Sequence, residues 1–200
     1  MFTDDLFAAR QGDDEIENKI YDHETITDAD CYGIDMQSVT FSGCRFIGCD
    51  LGKASFYGCT FQRCDLSNCK LPDTYWKDCT VEGCKCNGAE LTGSVFKHTI
   101  LKENNLSYAL MSECSFESCV LKENDLSNAL MSQIVFKQTK LHECKLVRTE
   151  LFRTSLKGID LSDCTVEGCS FSDTLSELRG AVVSYEQAAE LARLLGVKIK

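Results

Sequence analysis

The sequence is poor in the features that most often announce a function. Proline occurs once, at Pro72, tryptophan once, and histidine three times in 200 residues. The histidines, His23, His98 and His142, are scattered, and the spacing suggests no pairing of cysteine with histidine. There is no GxGxxG, P-loop, HExxH or GxSxG motif. Nothing therefore points to a catalytic, cofactor-binding or metal-ligating centre. No stretch approaches the roughly 18 uninterrupted apolar residues of a membrane span. The first residues, MFTDDLFAAR, are acidic where a secretory leader would be basic. Basic residues are also scarce, 21 against 31 acids, for a net charge of -10. That balance argues against direct contact with nucleic acid, whose phosphates need Lys and Arg, and favours a basic partner. These absences together predict a cytoplasmic, soluble, non-enzymatic protein with no cofactor and no membrane contact.

What is present is a soluble domain's composition, 44% apolar and 26% charged. The acid excess is concentrated at one end. Residues 1–40 hold eleven acids and two bases, and the remaining 160 residues are nearly neutral.

Written in fives, the chain has one apolar column. It runs from Phe41, Phe46 and Leu51 to Val166 and Phe171, 27 consecutive positions with no slip. The same phase reaches back through Met36, Cys31, Ile26, Tyr21 and Ile16, and fails at Ser176. A period of five suits neither a helix at 3.6 nor a flat strand at 2. It suits a chain that turns a corner every five residues. A second column of small residues lies two positions earlier, where a same-face strand neighbour belongs. Nine of the 13 glycines fall two residues after the large column, where a corner needs positive φ. A longer period sets the coil: LKENNLSYALMS at 101–112 recurs as LKENDLSNALMS at 121–132. Rings repeat at the same interval, at Phe56, Trp76, Phe96, Phe116 and Phe136. Four pentads per turn predict an all-β fold, a right-handed quadrilateral parallel β-helix of about eight coils and roughly 40 Å long.

Of the fourteen cysteines, twelve sit in the small column, among them Cys44, Cys64 and Cys84; Cys31 and Cys86 sit in the large one. Their spacing of five or ten is not that of a zinc site. They read as small buried hydrophobes, part of the core with the five rings. Asn104 and Asn124, one coil apart in the same column, read as an amide ladder.

The ends need caps. Residues 1–13 precede the register and read as an acidic segment or cap, with an acidic disordered tail over residues 1–12 as the alternative. The β-helix takes residues 14–175, with a first coil distorted by Asp14, Lys19 and Glu24 in the small column. Residues 176–200 read as a capping helix and apolar tail. Ser184 and Gln187 form a capping-box pair. Ala188, Leu191, Ala192 and Leu195 share one helical face. Gly196 ends the helix, and Val197 and Ile199 read as a short strand.

Segments such as CDLSNCKL, NNLSYAL and NDLSNAL resemble the small-[Asp/Asn]-Leu-Ser-X consensus of the pentapeptide-repeat family. Leu-Lys-Gly-Ile-Asp at 156–160 and SYEQAAELARLLGVKI near the end look like the C-terminus of its Qnr-type quinolone-resistance members. The resemblance implies binding to DNA gyrase or topoisomerase IV by a rod that imitates duplex DNA. It also implies a homodimer joined end to end, with Leu191, Leu194, Leu195, Val197 and Ile199 as candidate interface. The carboxylates offered for partner contact are Asp13, Asp14, Glu15, Glu17, Glu90, Glu113, Asp160 and Asp163. Drug protection in that family is tied to loops that interrupt the register. The unbroken register here resembles the loopless branch, which can inhibit gyrase. The alternative reading is a repeat scaffold with a different protein partner.

Overall fold

No strand is longer than three residues in the computed structural model, which describes residues 1–12 and 14–198. Eighteen such strands occur, and each places one large side chain between two outward neighbours. Every strand pairing is parallel and joins residue i to i+20, as in Ile16 to Met36, Phe56 to Trp76 and Leu121 to Leu141. The result is a four-sided β-helix with like residues stacked above like. Two adjacent sides are seven-stranded sheets, centred on the Phe56 and Phe61 columns. The Leu66 and Leu51 columns line the other two sides. There, most coils pair through single bridges, because a tight turn follows the large residue. Cys69 N–H donates to Leu66 O at 3.1 Å, and Ala54 N–H to Leu51 O at 3.1 Å.

Nearly every corner holds one residue in the left-handed region, two positions after the large one. Asn68 (φ 56), Gly88 (φ 67) and Tyr108 (φ 59) are successive examples. Glycine suits corners where coils crowd: a Cβ on Gly48 would push aside the Asp28 carboxylate of the coil below.

The core is a set of stacks. Rings follow one another at centroid separations of 4.0 Å (Phe56–Trp76), 5.7 Å (Trp76–Phe96), 4.8 Å (Phe96–Phe116) and 5.6 Å (Phe116–Phe136). Phe136 departs from the expected full burial and is only half-buried, because its sheet ends there and no further ring covers it. An apolar void of about 30 Å³ lies where Val81 and Cys86 stand in the large column.

The small column does more than fill space. Eleven of its twelve cysteines donate S–H to the carbonyl of the large residue 23 positions earlier. Examples are Cys44 to Tyr21 O (3.4 Å), Cys59 to Met36 O (3.2 Å) and Cys84 to Phe61 O (3.5 Å). Asn104, Asn124, Thr139 and Thr154 make the same bond. A buried carbonyl turned into the core costs free energy unless it finds a donor. The same side chains accept from below. Cys64 N–H donates to Cys84 Sγ (3.3 Å), Cys84 N–H to Asn104 Oδ1 (2.9 Å), and Asn104 N–H to Asn124 Oδ1 (3.0 Å). All fourteen cysteines are buried free thiols. Burial pushes those of Cys31, Cys69, Cys86 and Cys114 up to about 12.

Candidate interaction surfaces

The two ends and the outward rows are where a partner can reach this rod. At the N-terminal end the chain forms helix α1 (Phe2–Arg10), where only a cap or an acidic tail was expected. Its buried residues Phe2, Leu6 and Ala9 lie over the first coil. The Phe2 ring meets Tyr21 edge-on at 5.2 Å and Phe41 at 5.5 Å. The first coil is regular rather than distorted, with strands Glu15–Glu17, Ile20–Asp22 and Thr25–Thr27. Its polar small column holds the cap. Asp14 pairs with Arg10 (2.9 Å), Lys19 with Asp5 (2.7 Å), and Glu24 accepts the Phe2 N–H (2.9 Å). The Lys19 hydrogen bond leads the effects that hold the Asp5 pKa below its usual value. Sequence periodicity could not reveal this pairing, though the three polar intrusions were its trace.

At the other end, a one-turn 3-10 segment (Ser176–Leu178) leads to α2 (Tyr185–Leu194). The Ser184–Gln187 capping box is complete, and Gly196 follows the helix at φ 76. The side turned to the rod differs from the expected apolar face. Gln187 is the buried residue, and its Nε2 donates to Leu161 O (2.7 Å) and Cys164 O (2.6 Å). Those carbonyls belong to the last coil, which no further coil covers; Leu161 O also accepts the Cys164 N–H (2.9 Å), and an amide serves this end better than an aliphatic chain. Leu191 and Ala192 are half-buried, while Ala188 and Leu195 point to solvent. Leu194 and Val197 are also exposed, and a groove lined by Val166, Phe171, Leu191 and Leu194 separates α2 from the last coil. Val197 is not in a strand, and Ile199 lies outside the described residues. Glu177 is buried beneath this end, and its carboxylate accepts from Arg153 N (2.8 Å), Ser172 N (3.2 Å) and Ser172 Oγ (2.8 Å). Desolvation opposes its ionisation, but the hydrogen bonds prevail and hold its pKa below the usual range.

The acidic residues singled out from sequence are not brought together. Asp14 is engaged by Arg10, Glu15 and Glu17 belong to the first coil, and Asp13 lies outside the described residues. Glu90 and Glu113 flank the Leu51 side in mid-rod. Asp160 and Asp163 sit near the C-terminal end, where Ser162 holds the first (2.6 Å) and His142 the second (3.1 Å). The outward residues Tyr108, Leu110 and Leu130, which belong to neither inward column, form an exposed apolar cluster beside Glu90. Among the described residues, no group of three or more His, Cys, Asp or Glu is placed to hold a metal ion. Among them, too, no helix is long and apolar enough to cross a membrane.

The sequence profile of the pentapeptide repeat region matches residues 34–111, and that of the eight-copy pentapeptide repeat matches residues 101–138 and 119–158. The chain belongs to the pentapeptide-repeat family. Among curated proteins none matches it in sequence. Among solved structures, a trypsin-treated form of QnrB1, a plasmid-mediated fluoroquinolone resistance protein, shares its fold with a TM-score of 0.62. That pair is 20% identical and covers 93% of this chain and 97% of the other. HetL, a pentapeptide repeat protein of the cyanobacterium Nostoc involved in heterocyst differentiation regulation, is 17% identical over 89% of this chain and 94% of its own. Its TM-score is 0.33. The chain is thus a pentapeptide-repeat scaffold with a Qnr-like rod.

Proposed function

We propose that this protein is a non-enzymatic binder of type II topoisomerases, DNA gyrase or topoisomerase IV. It acts in the cytoplasm as a DNA-like rod, modulating the enzyme or protecting it from fluoroquinolones and other poisons. The observation that carries the reading is a four-sided rod whose register runs unbroken through bridges at every twentieth residue from Asp30 to Ser170. It is joined to an acidic end and to an α2 that leaves Leu194 exposed, with exposed Leu195 just beyond it. The likeness in fold to QnrB1 supports it. An acidic rod competes with duplex DNA for a basic groove, so its binding weakens as salt rises. Exposed Leu194, Leu195 and Val197 support an end-to-end homodimer, with the acidic ends outermost.

The test is a gyrase supercoiling assay, titrating the protein with and without a fluoroquinolone at two salt concentrations. Restored supercoiling in the drug means protection without a projecting loop. Salt-sensitive inhibition without drug means a loopless block of the DNA site. No effect on gyrase, repeated with topoisomerase IV, would overturn the reading in favour of a scaffold for another protein.

A further inference from the structure

On the Leu51 side of the rod, Glu90, Leu110, Leu130 and Glu150 are successive members of one outward ladder, each bridged to the next. Leu110 and Leu130 are 38% and 39% exposed. Tyr108, at the corner just before Leu110, is 64% exposed with φ 59. The coils on either side put Gly88 and Asn128 at that corner, residues that tolerate the left-handed region. The Tyr108 ring leaves most of its surface in water instead of packing it on the rod. Neither Glu90 nor Glu150 makes an ion pair among the described residues, although Lys70 precedes Glu90 in the ladder, whereas Lys102 and Lys122 on the opposite side are paired with Glu82, Glu103 and Glu123. Glu150 accepts only the Ser132 hydroxyl (2.8 Å).

We propose that Tyr108, Leu110 and Leu130 form an apolar anchor, rimmed by Glu90 and Glu150, through which the rod docks on the basic DNA-binding surface of a type II topoisomerase. The inference rests on the function proposed above and assigns its contact face. Charge complementarity selects the occupant. Two carboxylates about three coil rises apart, roughly 14 Å, demand cations on both flanks of an apolar centre. A surface built for DNA offers cations for phosphates and less polar ground for the sugars between them. Charge imitation alone needs no leucines. The anchor adds a component that salt does not screen.

Binding to immobilised gyrase is measured by interferometry at low and high salt for the wild type, Leu110→Ser/Leu130→Ser, Glu90→Gln/Glu150→Gln, and Ile100→Ser on the opposite side. Thermal melts confirm folding, and light scattering gives the mass of each. The leucine pair is expected to weaken binding at least tenfold at both salts. The glutamate pair should weaken it at low salt and matter little at high salt, and Ile100→Ser should have no effect. If the wild type binds and the leucine pair binds equally well, the face is wrong although the topoisomerase reading stands. If the leucine pair instead changes the oligomeric mass, the cluster is a contact between copies and the proposal falls. If the wild type does not bind at all, both readings fall.

Discussion

Replacing Asn104 by leucine, its near isostere, tests whether the small column is a hydrogen-bonding element or only a spacer. In the folded protein Asn104 Nδ2 donates to Val81 O (2.9 Å) and to Asn124 Oδ1 (3.0 Å), while Oδ1 accepts the Cys84 N–H (2.9 Å). All of these atoms are buried. Leucine removes both functions at little change in volume, so packing loss is minor. It strands the Val81 carbonyl and the Cys84 amide. Each orphaned buried group costs about 1–3 kcal/mol, for a total of about 4 kcal/mol. At about 2–4 °C per kcal/mol for a chain of this size, the melting temperature falls by about 8–16 °C.

Asn104→Cys is the control that isolates the cause. A cysteine donates S–H to the carbonyl 23 residues earlier and accepts the amide 20 residues earlier, as Cys84 does toward Phe61 O and Cys64 N. Sulfur bonds are weaker, so a cost of about 1 kcal/mol is expected. Differential scanning calorimetry under reducing conditions decides between them. A leucine variant as stable as the wild type refutes the hydrogen-bonding account. So does a cysteine variant as damaged as the leucine one.

Other perturbations probe other levels. Cys86→Val fills the void of about 30 Å³ and should stabilise by about 0.7 kcal/mol at 24 cal/mol per Å³, read as a small rise in melting temperature. The raised thiol pKa values at Cys31, Cys69, Cys86 and Cys114 predict that Ellman's reagent near pH 8 labels none of these four buried thiols until denaturant is added. Glu177 has a depressed folded pKa, so its stabilisation is present above the unfolded value and lost as pH falls through the folded one. Loosening of the C-terminal end, followed by hydrogen exchange, is thus expected only below about pH 4. Leu194→Asp, at an exposed position of α2, should halve the mass in solution and weaken the effect on gyrase together; unchanged mass removes the end-to-end dimer.

The fold is legible in the sequence because its period is set by geometry that every coil repeats. A large residue such as Phe116 is inward only if it is five residues from its neighbours and twenty from its stacked partners, Phe96 and Phe136. The ends are less legible because they break the period for local reasons. In residues 2–10 the apolar face is short, only Phe2, Leu6 and Ala9, and the helix is held as well by Asp5, Arg10 and the Phe2 amide reaching Lys19, Asp14 and Glu24. In α2, hydrophobicity selects the alanines and leucines as the face toward the rod. The last coil instead presents the Leu161 and Cys164 carbonyls, and the Gln187 amide donates to both. Apolar patterning places the cysteines inward but explains only half of their role, since their S–H donors are invisible to a count of apolar residues.

That division has a physical consequence for function. Two of every five residues are committed inward, one to a stack and one to the carbonyl of the coil below, and a third must accept a left-handed corner. The remaining two face solvent and enter the fold chiefly through backbone pairing, so their side chains are freer to vary. Outward positions such as Glu90, Leu110, Leu130 and Glu150 pair identically through the backbone whatever their side chains. A charged residue would serve the ladder as well as leucine and would leave less apolar surface in water. Two stacked leucines with a ring at the adjacent corner are therefore not demanded by folding. If a partner is what demands them, polar substitution there should spare stability and remove binding, the opposite of the outcome expected at Asn104.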